Sequence, residues 1–557
     1  MTIQANSTVT APVQCGDKLP FDVDRGSVVG PVEQLRGWAA ADPSVPFVKF
    51  GGEWITVGEL DGKTDRVAAG LLNLGLVKGD RLAIMLPTAV EYVELIFACA
   101  KLGIVFVPIN VFLKGEFLRH QLSTSGARAV VGDAAAMSLL AGQDFATTSV
   151  QFLVGVDGDA PDVDTSSPMY VSYASLVEHG SELPEVSVRP DDLMSLMFTS
   201  GTTGLSKACK LSHAYYFQVA RMYIAAEWVA AGDKIVTALP LYHAGGQIAV
   251  LMSALFSRSS VSFLAQFHAS TFMRQVHEEG ATASWGVAAM AAAVLAQPES
   301  SDPPMRGQLR LAVWIPLDIP RQEEFERRFG TRVVSDGYGQ TEATAICLNP
   351  VSEERLPGTV GRAASLIEVR IVDDLDNEVP DGETGEFAVR PLAPGAIFSG
   401  YWENDSATVS TITNLWYHTG DYGRKTPEGA FAFVDRKKDA MRRRGENVSS
   451  IELEVAIRQH PLVDEVAVHA VASPMTEDDI KACIVARGER PEPGELLKYF
   501  ETHLPYFCIP RFIEFFDELP VNGVGRVLKH QLRERALGAG TIDLTGEKYS
   551  LSREKRR

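Results

Sequence analysis

The 557-residue chain reads as an α/β protein. It is expected to have a large N-terminal domain of two α/β subdomains plus a small β-barrel-like subdomain, then a small mobile C-terminal α+β domain. Three observations carry this. Strand and helix patterns alternate from about residue 30 to 190 and again from about 190 to 350, which implies parallel sheet with helical crossovers. From about 358 to 435, short β-type runs lie between Gly, Pro and Asp turns and suggest a small antiparallel barrel or sheet. After Arg436 a charged segment interrupts the pattern and a new α/β unit begins.

The elements follow in chain order. Residues 1 to about 30 are polar, with Gly and Pro, and read as a loosely attached lead-in. Val67 to Leu76 has helical spacing, Arg81 to Met85 reads as strand, Tyr92 to Leu102 as helix and Val105 to Ile109 as strand. Ala129 to Val131 and Phe152 to Val156 are further buried strands. In the second stretch Leu193 to Phe198 is a strand that ends in a Ser/Thr/Gly loop, and Tyr215 to Trp228 is a helix. Lys234 to Ala238 is a strand and Ala249 to Phe256 a helix, while Ala283, Gly286, Ala288, Ala289, Ala291 to Ala293 and Ala296 suggest a small-sided helix. Val369 to Val372, Glu386 to Val389 and Ala430 to Val434 are the short β runs. The segment Arg436 to Val448 has no apolar period and reads as solvated surface. Beyond it come helix Ile451 to Arg458, strands Glu465 to Val471 and Ala482 to Ala486, and helix Glu495 to Thr502, with a basic tail at the end. The expected domains are 1–435 and 439–557, with a hinge at 436–438.

Composition excludes several classes. Hydrophobic residues make up 46% and charged residues 22%, as in ordinary globular proteins, so a disordered, collagenous or disulfide-scaffold architecture is ruled out. A net charge of −19 argues against general nucleic-acid binding, which needs a basic footprint. The six cysteines form no CxxC pair and no zinc-like cluster with His, so they read as reduced, buried thiols of a cytoplasmic protein. The first residues lack the basic and apolar regions of a signal peptide. The most apolar stretch, Leu82 to Phe112, is broken by Pro87, Glu91, Glu94, Lys101 and Pro108 and cannot supply about 20 uninterrupted apolar residues for a membrane span.

Three segments carry chemistry. Thr199-Ser200-Gly201-Thr202-Thr203-Gly204-Leu205-Ser206-Lys207 follows a buried strand. Its glycines let backbone N–H groups approach a phosphate, its hydroxyls donate, and Lys207 adds charge, although such a run is equally often a plain turn. Asp336-Gly337-Tyr338-Gly339-Gln340-Thr341-Glu342 sets an aromatic ring between glycines, then a hydroxyl and a carboxylate. The ring can stack on a base and the carboxylate can hold Mg²⁺; alone, the segment reads as a tight loop around a packed Tyr. Tyr417-His418-Thr419-Gly420-Asp421, with Asp435-Arg436 downstream, offers a carboxylate and a guanidinium that can reach ribose hydroxyls from two sides, or an ordinary surface pair.

Together with Asp435 to Asp439 and Gly445 to Glu454, these segments resemble the adenylate-forming superfamily of AMP-binding acyl-CoA synthetases, adenylation domains and beetle luciferases, over residues of about 50 to 540. Gly445 to Glu454, Glu518 to Lys529 and Pro394 to Trp402 are most similar in wording to crotonobetaine/carnitine–CoA ligases. The resemblance implies that ATP with Mg²⁺ and a small or medium carboxylic acid give an acyl-adenylate and pyrophosphate, and that the thiol of coenzyme A then displaces AMP. It assigns Thr199 to Gly204 and Lys207 to the β- and γ-phosphates, Tyr338 to adenine, Thr341 to the α-phosphate and Glu342 to Mg²⁺. Ile315, Asp336, Gly337, Gly339 and Gln340 complete the nucleotide site, and Asp421 with Arg436 takes the ribose. Lys438 becomes the hinge, and Gly445, Glu446 and Asn447 line the coenzyme A tunnel. His243, Gly245, Gly246, Trp285 and Trp314 fall in the acyl pocket, with the run Ser284 to Met290 beside them. The resemblance allows a homodimer and no membrane span.

Two departures bear on this reading. Arg526 stands where the superfamily has its adenylating lysine; it keeps the charge in a planar, more diffuse form, and Lys529 is the other basic residue at hand. Val313-Trp314-Ile315-Pro316 replaces a glycine-rich turn, so Trp314 and Ile315 are expected to narrow the acyl pocket. A quaternary ammonium substrate would call for an aromatic or acidic cage, for which Tyr242, Trp285, Trp314 and Tyr338 are candidates. The alternatives are an adenylating enzyme for a carrier-protein thiol and a catalytically weak nucleotide-binding protein.

Overall fold

The computed structural model describes residues 28–157, 168–178, 180, 182–199, 205–436, 440–444, 446–473, 477–520, 527, 529–535 and 537–545. Two seven-stranded sheets form the N-terminal part. The first runs in the order Met169–Ser172, Phe152–Gly155, Ala129–Gly132, Arg81–Met85, Val105–Pro108, Leu193–Thr199, Lys207–Ser212. Its pairs are parallel except the last, where Leu193–Thr199 turns back antiparallel onto Lys207–Ser212. The second runs Arg332–Val334, Leu311–Ile315, Ala283–Val287, Lys234–Thr237, Ser260–Phe263, Pro46–Phe50, Glu53–Thr56, again parallel except for the terminal hairpin. Parallel strands need crossovers and are covered on both faces, which explains their near-continuous apolar runs. Helices Val90–Leu102 and His213–Ala225 are buried on nearly every side, and their residues join both sheets in one apolar core. All-round apolarity thus marks a core helix here. Among the described residues no helix is long and apolar enough to cross a membrane.

The antiparallel subdomain expected after residue 358 is a five-stranded sheet of Ile367–Val372, Gly385–Pro391, Trp416–Lys425, Ile412–Thr413 and Phe431–Arg436. A three-stranded sheet, Gly337–Gln340, Ala343–Leu348 and Arg362–Ala363, leads into it. The C-terminal part has its own core, built on the sheet Val463–Ala472, Asp478–Ala486, Phe512–Phe516, Ile542–Asp543, with Phe112 and Phe117 from the N-terminal part packed against it. The five described cysteines are buried free thiols.

Three local readings are corrected. The segment taken for a helix at Ala249 to Phe256 is a π-helix, Gly245–Met252, followed by a short α-helix, Ser253–Ser257. Side-chain periodicity does not distinguish these windings, and π segments gather at functional sites. The small-sided run is a strand, Ala283–Val287, before the helix Ala288–Leu295 begins, because pairing to strands on both sides overrides the helix preference of alanine. The charged segment after Arg436 is not simply solvated surface. Ala440–Arg443 and Glu446–Ser449 form a hairpin in which Met441, Arg443 and Glu446 are buried. No apolar period announces this hairpin; its buried charges find partners outside it, Arg443 at Asp479 and the Ile509 carbonyl and Glu446 at His243.

Candidate active site

The strand Gly337–Gln340 pairs with Ala343–Leu348 through a register shift between Tyr338 and Gln340. A side chain at Gly339 could not fit there, since its Cβ would lie 2.0 Å from the Thr344 carbonyl oxygen. The tight turn aims Tyr338 and Gln340 at one acceptor. Tyr338 donates from its hydroxyl to Asp421 Oδ2 at 2.7 Å, and Gln340 Nε2 donates to the same oxygen at 2.7 Å. Gln340 is held in turn by Tyr417, whose hydroxyl donates to Gln340 Oε1 at 2.8 Å. The Tyr338 ring packs on Phe387 with centroids 4.7 Å apart and on Phe433 at 5.8 Å. Burial pushes its hydroxyl well above the ordinary tyrosine value, so it stays a donor. Asp421 is buried, and its backbone faces that of Arg436 across the strand pair.

A second group forms where the first sheet turns back. Thr199 and Lys207 face one another in the register of that turn, and Ser200 to Gly204 lie outside the described residues. Thr199 Oγ1 donates to Glu342 Oε1 at 3.3 Å and the Tyr401 hydroxyl donates to the same oxygen at 2.7 Å. Lys207 Nζ sits 4.9 Å from the centroid of the Tyr401 ring. The Tyr215 hydroxyl donates to the Thr341 carbonyl oxygen at 2.9 Å and so fixes the backbone just before Glu342. The residues of the first two sequence motifs thus meet, with Tyr401 as a member that sequence reasoning missed. Its signal was the Pro394 to Trp402 stretch, which was noted for its wording and not for its chemistry.

The first group borders, through Tyr338, a cavity of about 1470 Å³. Its inner wall includes His243, Gly245, Gly246, Trp285, Ile315 and Tyr338. Trp285 packs edge-on to Tyr223 at 5.6 Å and lies 5.9 Å from Trp228, so three rings form one continuous wall; Tyr223 and Trp228 were not foreseen. Trp314 is a correction. It is fully buried and packs against Phe272 and Phe325, each at 5.6 Å, on the helix side of the sheet, while Val313 and Ile315 line the cavity. Alternate residues of a strand point to opposite faces, so two successive large residues could not both narrow the pocket.

The outer part of the cavity is closed by the C-terminal hairpin, with Arg442, Arg443, Arg444 and Glu446 in its lining. Glu446 Oε2 comes within 2.8 Å of His243 Nε2, so the hairpin reaches the inner wall of the cavity. Tyr506 packs edge-on to Phe112 at 4.7 Å, and Arg444 lies 5.3 Å from the Tyr506 ring. Burial lowers the Arg443 guanidinium to about 10, with Asp479 partly offsetting it. Lys438, Gly445 and Arg526 lie outside the described residues, as do the side chains of Arg436 and Asn447. Lys529 Nζ is 2.6 Å from Glu454 Oε1 and 2.8 Å from Ser450 Oγ, held within the C-terminal domain.

Asp336, at the entrance to the Tyr338 turn, is buried, and desolvation raises its carboxyl from 3.8 to about 6, with Arg355 and Arg332 drawing it back in part. The folded state therefore holds this proton more tightly than the unfolded chain does. Its contribution to stability is fully present below about pH 4 and is lost as pH rises through about 6. Asp336→Asn is expected to raise the melting temperature at pH 8 by about 1–3 °C and to leave it unchanged at pH 4. Thermal melts at both pH values check this; a gain of equal size at pH 4 would contradict the buried-charge account.

Two α/β sheets sharing a core, a cavity at their rim and a small domain that carries charged side chains into it define the class of adenylate-forming enzymes. The chain belongs to the family of AMP-binding enzymes: residues 35–402 match that family and residues 452–526 match the AMP-binding enzyme C-terminal domain. A feruloyl-CoA synthase of Amycolatopsis sp is 30% identical, over 89% of this chain and 97% of its own. A crotonobetaine/carnitine–CoA ligase of Salmonella typhimurium is 29% identical, over 85% of this chain and 92% of its own. The structure of an o-succinylbenzoate CoA synthetase double mutant from Bacillus subtilis, bound to a product analogue, superposes with a TM-score of 0.78 at 25% identity, covering 90% of this chain and 98% of that one.

Proposed function

We propose that the protein is an ATP-dependent, AMP-forming acyl-CoA ligase, which activates a small or medium carboxylic acid as an acyl-adenylate and passes the acyl group to coenzyme A. The observation that carries this reading is the convergence of Tyr338 and Gln340 on one buried Asp421 oxygen at the rim of an apolar cavity that the C-terminal hairpin enters. A carboxylate so held is fixed in place and can accept the two ribose hydroxyls. Tyr338 offers a ring beside it for adenine. We assign Thr199 and Lys207 to the triphosphate and Thr341 to the α-phosphate. A hard cation such as Mg²⁺ takes one or two carboxylates plus substrate phosphates, and Glu342 with the Thr199 hydroxyl fits that donor set. Charge develops at the α-phosphorus during adenylation, and we assign Arg526 to stabilise it. The hinge falls at Lys438, between domains 1–435 and 439–557. Once AMP is the leaving group, Glu446 and its hairpin neighbours line the path along which the thiol approaches.

The inner wall also speaks to the acid. Tyr223, Trp228, Trp285, Val313, Ile315 and Leu348 present rings and aliphatic groups, without an ionised side chain among them. An uncharged, ring-bearing or branched acyl group suits such a wall. The test is one mass-spectrometric assay of purified protein with ATP, Mg²⁺, coenzyme A and a pool of short, branched, cyclic, aromatic and betaine acids. Acyl-CoA products establish the reaction and name the acid. Thioester formation only from supplied acyl-adenylates places the defect at Arg526, and silence in both arms rejects the ligase reading.

A further inference from the structure

His418 belongs to the Tyr417 to Asp421 segment, yet the proposed reaction gives it no part. Successive residues of a strand point to opposite faces. On the strand Trp416–Lys425, Tyr417 and Asp421 meet the Tyr338 turn on one face, and His418 meets two carboxylates on the other. Its Nδ1 lies 3.4 Å from Glu386 Oε2, and its Nε2 lies 3.3 Å from Asp376 Oδ1. None of the three side chains is more than 16% exposed, and the facing Nε2 and Oδ1 atoms are both sealed from water.

The second oxygen of each carboxylate is engaged as well. Glu386 Oε1 accepts from the Gly420 backbone N–H at 2.8 Å, and Asp376 Oδ2 accepts from Asn414 Nδ2. Gly420 turns with φ of +74° and leads directly into Asp421. Glu386 thus joins His418 to the backbone that carries the proposed ribose carboxylate.

Protonation decides whether this cluster is favourable. An ionised carboxylate only accepts hydrogen bonds. A neutral imidazole has one N–H and would turn a lone pair on one of the two carboxylates. An imidazolium donates to both and sets one positive charge between two negative ones, where water screens little. The other charges on the packed elements do not reverse this. Asp373 and Asp374, in the turn of Asp376, add negative charge. Arg370 stands in one row with Ala388 and His418 across the sheet, and Arg390 is on the middle strand of that row. Both guanidinium groups stack on Trp416, at 4.6 and 4.5 Å, and pair with Glu368; Arg370 also lies 3.7 Å from Glu378. The short strand Ile412–Thr413 brings no charged residue.

We infer that His418 is a positioning residue whose imidazolium holds Glu386 on the Gly420 N–H and so makes nucleotide binding at Asp421 depend on the His418 proton. This deepens the reading of Asp421 as the ribose carboxylate and rests on it. The folded cluster holds the proton more tightly than a free imidazole does. The brace is therefore complete below the ordinary histidine value of about 6.5 and is lost as pH rises through the higher folded value. Without the proton, Glu386 and Asp376 face one another with no cation between them, Glu386 releases Gly420, and Asp421 leaves its place.

The experiment uses the full-length protein with His418→Asn and Asp376→Asn. Asparagine at 418 can still donate to Glu386 from the place of Nδ1 but does not titrate. Asparagine at 376 removes the outer negative charge and leaves Glu386 and Asp421 untouched. Titration calorimetry with AMP between pH 6 and 9 is expected to show native affinity falling about tenfold, the effect of one charge-assisted hydrogen bond. The ionisation of AMP itself is common to all three proteins and cancels in the comparison. In Asp376→Asn the fall should come about one pH unit lower, with affinity at pH 6 within about twofold of native, and in His418→Asn it should vanish. NMR of ¹³C-labelled histidine, with the His418 signal assigned by its loss in His418→Asn, should place the midpoint above about 6.5 and on the calorimetric fall. A fall that persists in His418→Asn, a midpoint unmoved by Asp376→Asn, or a His418 signal that titrates below about 6 would overturn the brace. Tight AMP binding that ignores pH rejects the brace alone; no AMP binding at any pH rejects the nucleotide reading and the brace with it.

Discussion

Asp421→Asn is expected to lower kcat/KM for ATP by about 10²-fold, mostly through KM, and to weaken AMP binding in parallel. The native carboxylate is pinned at Oδ2 by Tyr338 and Gln340, each at 2.7 Å, and its burial leaves little freedom for it to point elsewhere. A hydrogen bond to a charged acceptor contributes about 1.5–3 kcal/mol, and two ribose hydroxyls would make two of them. Asparagine keeps the volume, loses the charge and presents one donor where an acceptor is needed, so about half of that interaction should vanish, near 2–3 kcal/mol, or about 10²-fold. Both half-reactions carry the ribose and both should weaken. Steady-state kinetics with ATP varied, together with calorimetry of AMP, reads the effect. An ATP KM within threefold of native would show that Asp421 braces Tyr338 and Gln340 without meeting the nucleotide.

Trp314→Ala is expected to destabilise the fold by about 3–5 kcal/mol and to leave the relative rates on different acids unchanged. The ring is fully buried between Phe272 and Phe325, and its removal opens a cavity inside the helix layer, away from the pocket. The backbone beneath is equally committed to it, since a Cβ at Gly286 would lie 2.0 Å from the Trp314 ring. Trp314→Phe should cost less and serves where the alanine variant melts below the assay temperature. Gly245→Ala supplies the contrast. A Cβ there would meet only Leu239 Cδ1, at 3.6 Å, an ordinary contact, and the residue lines the cavity. The added methyl should therefore cost little stability and shift discrimination between large and small acids by roughly tenfold or more. Denaturant unfolding and competition assays on paired acids decide the matter. A changed acid preference in Trp314→Phe, with Gly245→Ala unchanged, would put the acyl group on the other face of the sheet.

Trp314 shows where reading the chain stops. That a large apolar residue would replace a glycine in the turn was plain from its letters. Which face of the strand it takes depends on register with Ala283–Val287 and Arg332–Val334, and that pairing spans distant parts of the chain. The hairpin Ala440–Arg443/Glu446–Ser449 makes the same point, because a run of arginines is costly to bury until Asp479, Ile509 and the facing domain supply partners. Tyr401 has no motif of its own, and only the meeting of two chain segments brings its hydroxyl to Glu342.

What the chain determined by itself is the architecture and the cast of residues. Alternating apolar runs reveal parallel sheets because burial on both faces leaves that mark locally, and Leu193 to Phe198, Tyr92 to Leu102 and Glu465 to Val471 fall within a few residues of the observed elements. The motifs around Lys207, Tyr338 and Asp421 are legible because glycine, hydroxyl and carboxylate at short spacing are a local chemical arrangement. The tertiary structure alone decided which of them share an oxygen, which ring walls the cavity and where His418 meets Asp376. Those outcomes depend on contacts between residues far apart in sequence, whose free energies are set by mutual burial and geometry, and neither quantity is carried by any one segment.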